Sequence, residues 1–139
     1  MTTWKRGIRL NNPGNIERGK DDWLGMASEQ PDKRLIRFSD PAYGLRAMAR
    51  VLKNYQRIHG LRNISQIIGR YAPSPENPTD KYIDFVCRAT GYTADERIDL
   101  NRRCVLAGLM QAIIRFENAN QMPYSEAQIY QGISMEDNT

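Results

Sequence analysis

Several things are scarce in this chain, and each scarcity excludes something. No apolar run approaches the roughly 18 residues that a membrane span needs. The longest such stretch, Cys104 to Phe116, is interrupted by Gln111 and Arg115, so no membrane-spanning segment is expected. There is one histidine, His59, beside Gly60. Alone, it cannot build a metal coordination shell, and no nucleophile motif accompanies it to make a Ser/His/Asp triad. No metal or cofactor is therefore expected. The two cysteines, Cys87 and Cys104, have neither zinc-site nor CxxC spacing. They read as buried reduced thiols, with a disulfide between two helices as the other option. Basic residues at the N-terminus, Lys5 and Arg6, are followed by no apolar segment, so a secretory signal is not expected either. A large excess of one charge is missing too. The net charge is +4 with a pI near 9.2, which favours anionic partners only mildly.

What is present fits one domain of 139 residues with 40% apolar content, long enough for a real core and short for two. There are no internal repeats, low-complexity tracts or linkers. Residues 1–39 are rich in Gly, Asn, Asp and Pro, with extended-looking pieces at Gly14–Arg18, Trp23–Ala27 and Arg34–Phe38. They predict a loop with a small antiparallel ribbon. From residue 40 the period changes to that of helices, through residue 133. Asp40 is a candidate N-cap with Pro41 behind it, and Leu45, Met48, Leu52, Tyr55 and Ile58 recur at helical spacing until Gly60. Asn63 can cap a short helix through Ile64, Ile67 and Ile68. The proline-rich stretch Tyr71 to Pro78 must be loop. Thr79 or Asn77 opens a helix carrying Tyr82, Phe85, Val86 and Ala89 that stops at Gly91. The longest apolar helix is expected from about Asn101 to Glu117, then a short helical piece around Ser125–Tyr130. Residues 134–139 are expected to be a frayed, flexible tail. The fold class is mainly α, an α+β arrangement with helices dominating.

The most informative residue comes from placing the last long helix on a wheel. Leu106, Leu109, Met110, Ile113 and Ile114 form an apolar stripe, and its next step is Glu117, the only acid on that face. A carboxyl there loses water and also faces the negative end of the helix dipole. Both effects favour the protonated form, as a group that protonates a glycosidic oxygen requires. The competing expectation is that the helix frays at Asn118-Ala119-Asn120 and Glu117 bends into solvent.

Other motifs bear on that choice. The stretch Arg6-Gly7-Ile8-Arg9-Leu10-Asn11-Asn12-Pro13-Gly14-Asn15-Ile16, then Trp23-Leu24-Gly25 and Phe38-Ser39-Asp40-Pro41-Ala42-Tyr43-Gly44, resembles the opening of small phage and prophage proteins related to lysozyme-like peptidoglycan hydrolases. The likeness continues in Tyr71-Ala72-Pro73, Glu76-Asn77-Pro78-Thr79, Tyr82, and Ala112 to Asn118 before Pro123-Tyr124. It spans nearly the whole chain. The N-terminal stretch is the specific part; each other piece is weak alone. The segments are also similar, in rearranged order, to glucosaminidases and lytic transglycosylases. The helix bearing the Glu comes last here, which would amount to a circular permutation of a lysozyme-like domain.

The resemblance implies Glu117 as catalytic acid, with Asn12 and Asn15 lining the groove and Tyr71, Thr79 and Tyr82 flanking the reacting sugar. Amides suit N-acetyl and hydroxyl groups, and tyrosines offer an apolar face with a polar tip. The residue two after the acid, usually Gly in such motifs, is Ala119, which removes backbone freedom. Plainer readings stand beside these: Asn12 to Asn15 is also a good turn, Tyr82 lies on an apolar helix face, and Trp4 and Trp23 suit either core or sugar platform. No second acid pairs with Glu117, although Glu17, Asp21, Asp22, Glu76 and Asp80 lie in segments that can reach the groove.

The implied activity is cleavage of peptidoglycan glycan strands by one Glu acting as acid and base, as a hydrolase or a lytic transglycosylase. Synthesis in the bacterial cytoplasm would be followed by delivery to the periplasmic wall by phage, secretion or lysis proteins, which with the glycan are the expected partners. Two rivals differ in class. One is an inactive relative that serves a phage structural or envelope-binding role. The other is a nucleic-acid binder using Lys5, Arg6, Arg9, Arg18, Lys20, Arg102 and Arg103; those charges are dispersed among acids without a binding motif, so a nucleic-acid partner is not expected.

Overall fold

A proline behind an Asp, a lone Asn, a glycine and a Ser-x-x-Gln each set one helix end of this chain. The computed structural model describes residues 3–139, and among them six helices follow in order: α1 (Arg6–Arg9), α2 (Pro41–Arg57), α3 (Ile64–Tyr71), α4 (Thr79–Thr90), α5 (Arg103–Glu117) and α6 (Glu126–Asp137). The protein is mainly helical. The Asp40 carboxylate accepts from the Ala42 N–H at 2.9 Å, and Asn63 Oδ1 accepts from the Gln66 N–H at 2.9 Å, each relieving an otherwise unpaired donor of a first turn. Gly91 closes α4 at φ 83°, a left-handed conformation natural to glycine. A reciprocal capping box between Ser125 and Gln128 starts α6.

Helix α5 is buried on almost every side, through Val105, Leu106, Leu109, Met110, Ala112, Ile113 and Ile114, and it touches α2, α4 and α6. A helix apolar on so many faces belongs in the centre of a core, and each large side chain it buries contributes roughly 1.5–3 kcal/mol. Helix α6 lies along α2 at a distance only glycine permits: a Cβ on Gly132 would come within 2.6 Å of Leu45 Cβ. A smaller apolar cluster of Ile36, Phe38 and Ala47, flanked by Trp23 and Tyr43, ties the N-terminal region to α2.

The structure departs from expectation in four places. The ribbon is not a sheet. Its pieces meet antiparallel at two isolated bridges, Glu17 with Leu35 and Met26 with Phe38. Side-chain amides take the intervening backbone groups: Asn12 Nδ2 donates to the Ile16 and Ile36 carbonyls at 2.9 and 2.8 Å, and Gln30 Nε2 to those of Ala27 and Arg37 at 2.9 and 2.8 Å. Helix α1 was unexpected, being one turn inside a stretch of turn-forming residues. The supposed tail is also wrong. Helix α6 runs to Asp137 because Glu136 turns inward onto α2, with 2% of its side chain exposed and cations of Arg50, Lys53 and Arg57 within 2.6, 2.7 and 3.3 Å. The cysteines are free thiols, Cys87 half-buried and Cys104 exposed, so neither matches the fully buried expectation.

Candidate active site

The stretch Asn11 to Asn15 makes a rigid turn from residues suited to it. Asn11 and Asn15 take φ of 54° and 52°, a region that Asn tolerates better than other residues with a Cβ. Three anchors hold the turn. Asn12 is fully buried, its Oδ1 accepting from the Ile16 N–H at 2.9 Å while its Nδ2 reaches Ile16 and Ile36 as described. The Gly14 carbonyl accepts from the Tyr71 hydroxyl at the end of α3. The Pro13 carbonyl accepts from Asn118 Nδ2 at 2.8 Å, and the same amide donates to the Ile114 carbonyl at 2.8 Å, capping α5. The turn is thus fastened directly to the end of the helix that carries Glu117.

Glu117 is the last residue of α5 and is half-buried, so the helix persists to the acid and does not fray before it. Asn15 Nδ2 donates to Glu117 Oε1 at 2.8 Å. Near the carboxylate, Tyr82 is 1% exposed and stacks on Phe116, ring centroids 3.9 Å apart, and its buried hydroxyl makes no hydrogen bond of ordinary geometry among the described residues. Burial, helped by the negative charge of Glu117, pushes the phenols of both Tyr71 and Tyr82 far above their ordinary range. Both stay neutral and keep their protons to donate.

Glu117, Asn15 and Tyr71 share the wall of a cleft of about 720 Å³. Tyr55 lines it as well, edge-on to Tyr71 at 6.4 Å, and the Arg70 guanidinium lies over the Tyr55 ring at 5.4 Å. Of the five further acids, Glu17 and Glu76 line this cleft and Asp21, Asp22 and Asp80 do not. Glu17 pairs with Arg34, another wall residue, at 3.6 Å.

The expected site residues therefore divide. The structure brings Glu117, Asn15 and Tyr71 together around one cleft, whereas Tyr82 is buried against Phe116 and does not line it. It does not bring Asn12, which is buried with its amide committed to backbone, nor Thr79, whose hydroxyl donates to the Ala72 carbonyl at 2.6 Å and steadies the proline-rich loop. Asn118, Tyr55 and Arg70 carry no site signal in the sequence. Asn118 follows the acid directly, but its partner Pro13 is 105 residues away, and no local pattern announces such a pairing.

This geometry defines a class: a mainly helical protein with a helix-terminal carboxylate held open to a polar cleft. No family model matches the chain. It is 36% identical over 130 residues to Protein P5 of Pseudoalteromonas phage PM2, an alignment covering 91% of this chain and 79% of that protein. The chain belongs to the family of this phage protein.

Proposed function

We propose that this protein cleaves the glycan strands of peptidoglycan, with Glu117 as its acid and base, on a lysozyme-like arrangement whose segments occur in rearranged order. The observation that carries this reading is Glu117 itself, a half-buried carboxylate that ends the core helix and opens on a large cleft with one oxygen held by Asn15. A carboxyl group so placed, at the wall of the cleft, is within reach of a bound glycosidic oxygen and can act on it as acid and base. Tyr55 and Tyr71 offer ring faces to sugars. Arg34 and Arg70 suit the carboxylates of the peptide stems that distinguish peptidoglycan from a neutral glycan.

In the reaction, Glu117 gives its proton to the bridging oxygen, and the C1–O bond breaks with its electron pair leaving on that oxygen. A substrate oxygen closes on C1. If this is the muramic 6-hydroxyl, its proton returns to Glu117 and an anhydro end results; if it is the N-acetyl oxygen, water later opens the ring to a reducing end. Action at the periplasmic wall follows delivery by other phage or host proteins. The second reading, a binding protein that keeps the fold without the chemistry, is favoured by Ala119, whose φ of 50° replaces glycine in the turn beside the acid.

Digestion of purified peptidoglycan by the wild type and by Glu117→Gln, with fragments read by mass spectrometry, separates the two. Fragments from the wild type alone support cleavage by Glu117. Binding by both proteins with no release from either supports attachment.

A further inference from the structure

Asn15 lines the cleft, and its amide is turned toward Glu117. Its Nδ2 donates to Glu117 Oε1 at 2.8 Å, and its Oδ1 is buried with no hydrogen-bond partner among the described residues. That oxygen lies against the bare Cα of Gly7, where an added Cβ would sit 2.2 Å from it.

We propose that Asn15 is a positioning residue for Glu117, holding Oε1 so that Oε2 carries the proton to and from the glycosidic bond. The inference rests on the cleavage reading above. A glutamate has three side-chain torsions to restrain, and a fixed donor restrains them before substrate arrives. The donor itself is fixed, since the turn bearing Asn15 is pinned by Tyr71 through Gly14 and by Asn118 through Pro13. As the proton leaves Oε2, negative charge grows on the carboxylate, and an N–H already aimed at Oε1 interacts with that anion more strongly than with the neutral acid. Asn15 therefore favours the transition state over the ground state. Gly7 belongs to the same device, leaving room for the amide to turn toward Glu117.

The test is kcat and KM measured separately across pH on soluble peptidoglycan fragments, for the wild type, Asn15→Ala and the isosteric Asn15→Asp, with thermal melts of each. Asn15→Ala should lose about 10- to 100-fold in kcat while KM stays within about two-fold, the size seen when a supporting donor is removed. Asn15→Asp sets a second carboxylate against Oε1. Like charges resist ionising together, so its activity profile should move to higher pH by about one unit. A rise in KM at unchanged kcat would mean that Asn15 contacts substrate, and unchanged kcat with an unchanged profile would mean that it does nothing for Glu117. Either result overturns the positioning role while leaving cleavage intact. If Asn15→Ala does not fold, the pH profile of Asn15→Asp decides alone. A wild type that releases no fragments removes the cleavage reading, and this inference falls with it.

Discussion

Glu117 closes α5 and Glu136 lies in the last turn of α6, both turned inward at helix ends where the dipole disfavours an anion. Their surroundings differ. Glu136 is sealed among Arg50, Lys53 and Arg57. Glu117 forms no ion pair among the described residues and receives a neutral amide donor on one oxygen, with neutral tyrosines nearby and a cleft in front. Three cations commit a carboxylate to one charge state and one geometry, which suits a clamp between helices. A carboxylate held by one neutral donor and facing a cleft leaves its other oxygen uncommitted among the described residues. The contrast separates an acid clamped between helices from one that faces a cleft.

The strongest way to break the comparison is to exchange each acid for its amide. Glu117→Gln should remove peptidoglycan release by at least about 10³-fold, by loss of the acid and base, with the melting temperature nearly unchanged because Asn15 can still donate to the Gln carbonyl. Glu136→Gln should do the reverse. Removing the charge from a buried cluster costs about 3–5 kcal/mol when its partners are trapped. Here Arg50 and Arg57 keep 28% and 46% of their side chains exposed and can turn to water, so about 2 kcal/mol is expected. Chemical denaturation and fragment release measured on both variants check the pair. Equal loss of stability in the two would dissolve the distinction.

Acid sharpens the same comparison. Burial pushes the Glu136 carboxyl up, but hydrogen bonds and charge from Lys53 and Arg50 outweigh it and hold the group below the ordinary carboxylate range. A carboxyl whose folded value is depressed contributes stability that is complete above the unfolded value and lost as pH falls through the folded one. The wild type should therefore melt progressively lower as pH drops below the ordinary carboxylate range, and part of that slope should vanish in Glu136→Gln. Melting curves between neutral pH and strong acid provide the measurement. An unchanged slope would mean that other carboxylates, such as Asp32 with its Arg6 partner, carry the acid response.

The two glutamates also mark the boundary of what the sequence makes legible. Glu117 continues a stripe of five large apolar residues, so spacing offers an inward direction. Spacing equally allows a frayed end with the side chain in solvent, and the buried Asn118 cap that holds the helix end is a contact only folding supplies. Asp40-Pro41, Asn63 and Gly91 announce helix ends through chemistry confined to a few neighbours. Glu136 has no such signal, since α6 offers mainly Ile129 and Ile133 for its buried face and carries Gly132, which reads as a breaker until Leu45 is seen against it. Its cationic partners lie 79 to 86 residues upstream. Asn12 and Asn15 pose the same difficulty three residues apart, as identical side chains on one turn, one serving the backbone and one serving Glu117. Which does which depends on contacts with Ile36 and with α5 that only folding supplies.

The smallest effect concerns the turn beside the acid. Ala119 and Asn120 both have left-handed backbones, φ 50° and 67°. For Asn120 the cost is modest, but a Cβ-bearing Ala in that region loses roughly 1–2 kcal/mol against glycine. Ala119→Gly relieves this strain and in exchange gives the unfolded chain more freedom, worth about 0.4–1 kcal/mol the other way. The net expectation is a gain of about 0.5–1 kcal/mol, visible as a small rise in melting temperature. Asn118, which precedes it and fastens α5 to the Asn15 turn, keeps its bonds to Pro13 and Ile114 in either case, so the rate of peptidoglycan release should hardly change. A large rise in activity with Ala119→Gly would instead mean that the strained turn holds Glu117 away from its working position, and that the amide clamp described for the wild type is a resting arrangement.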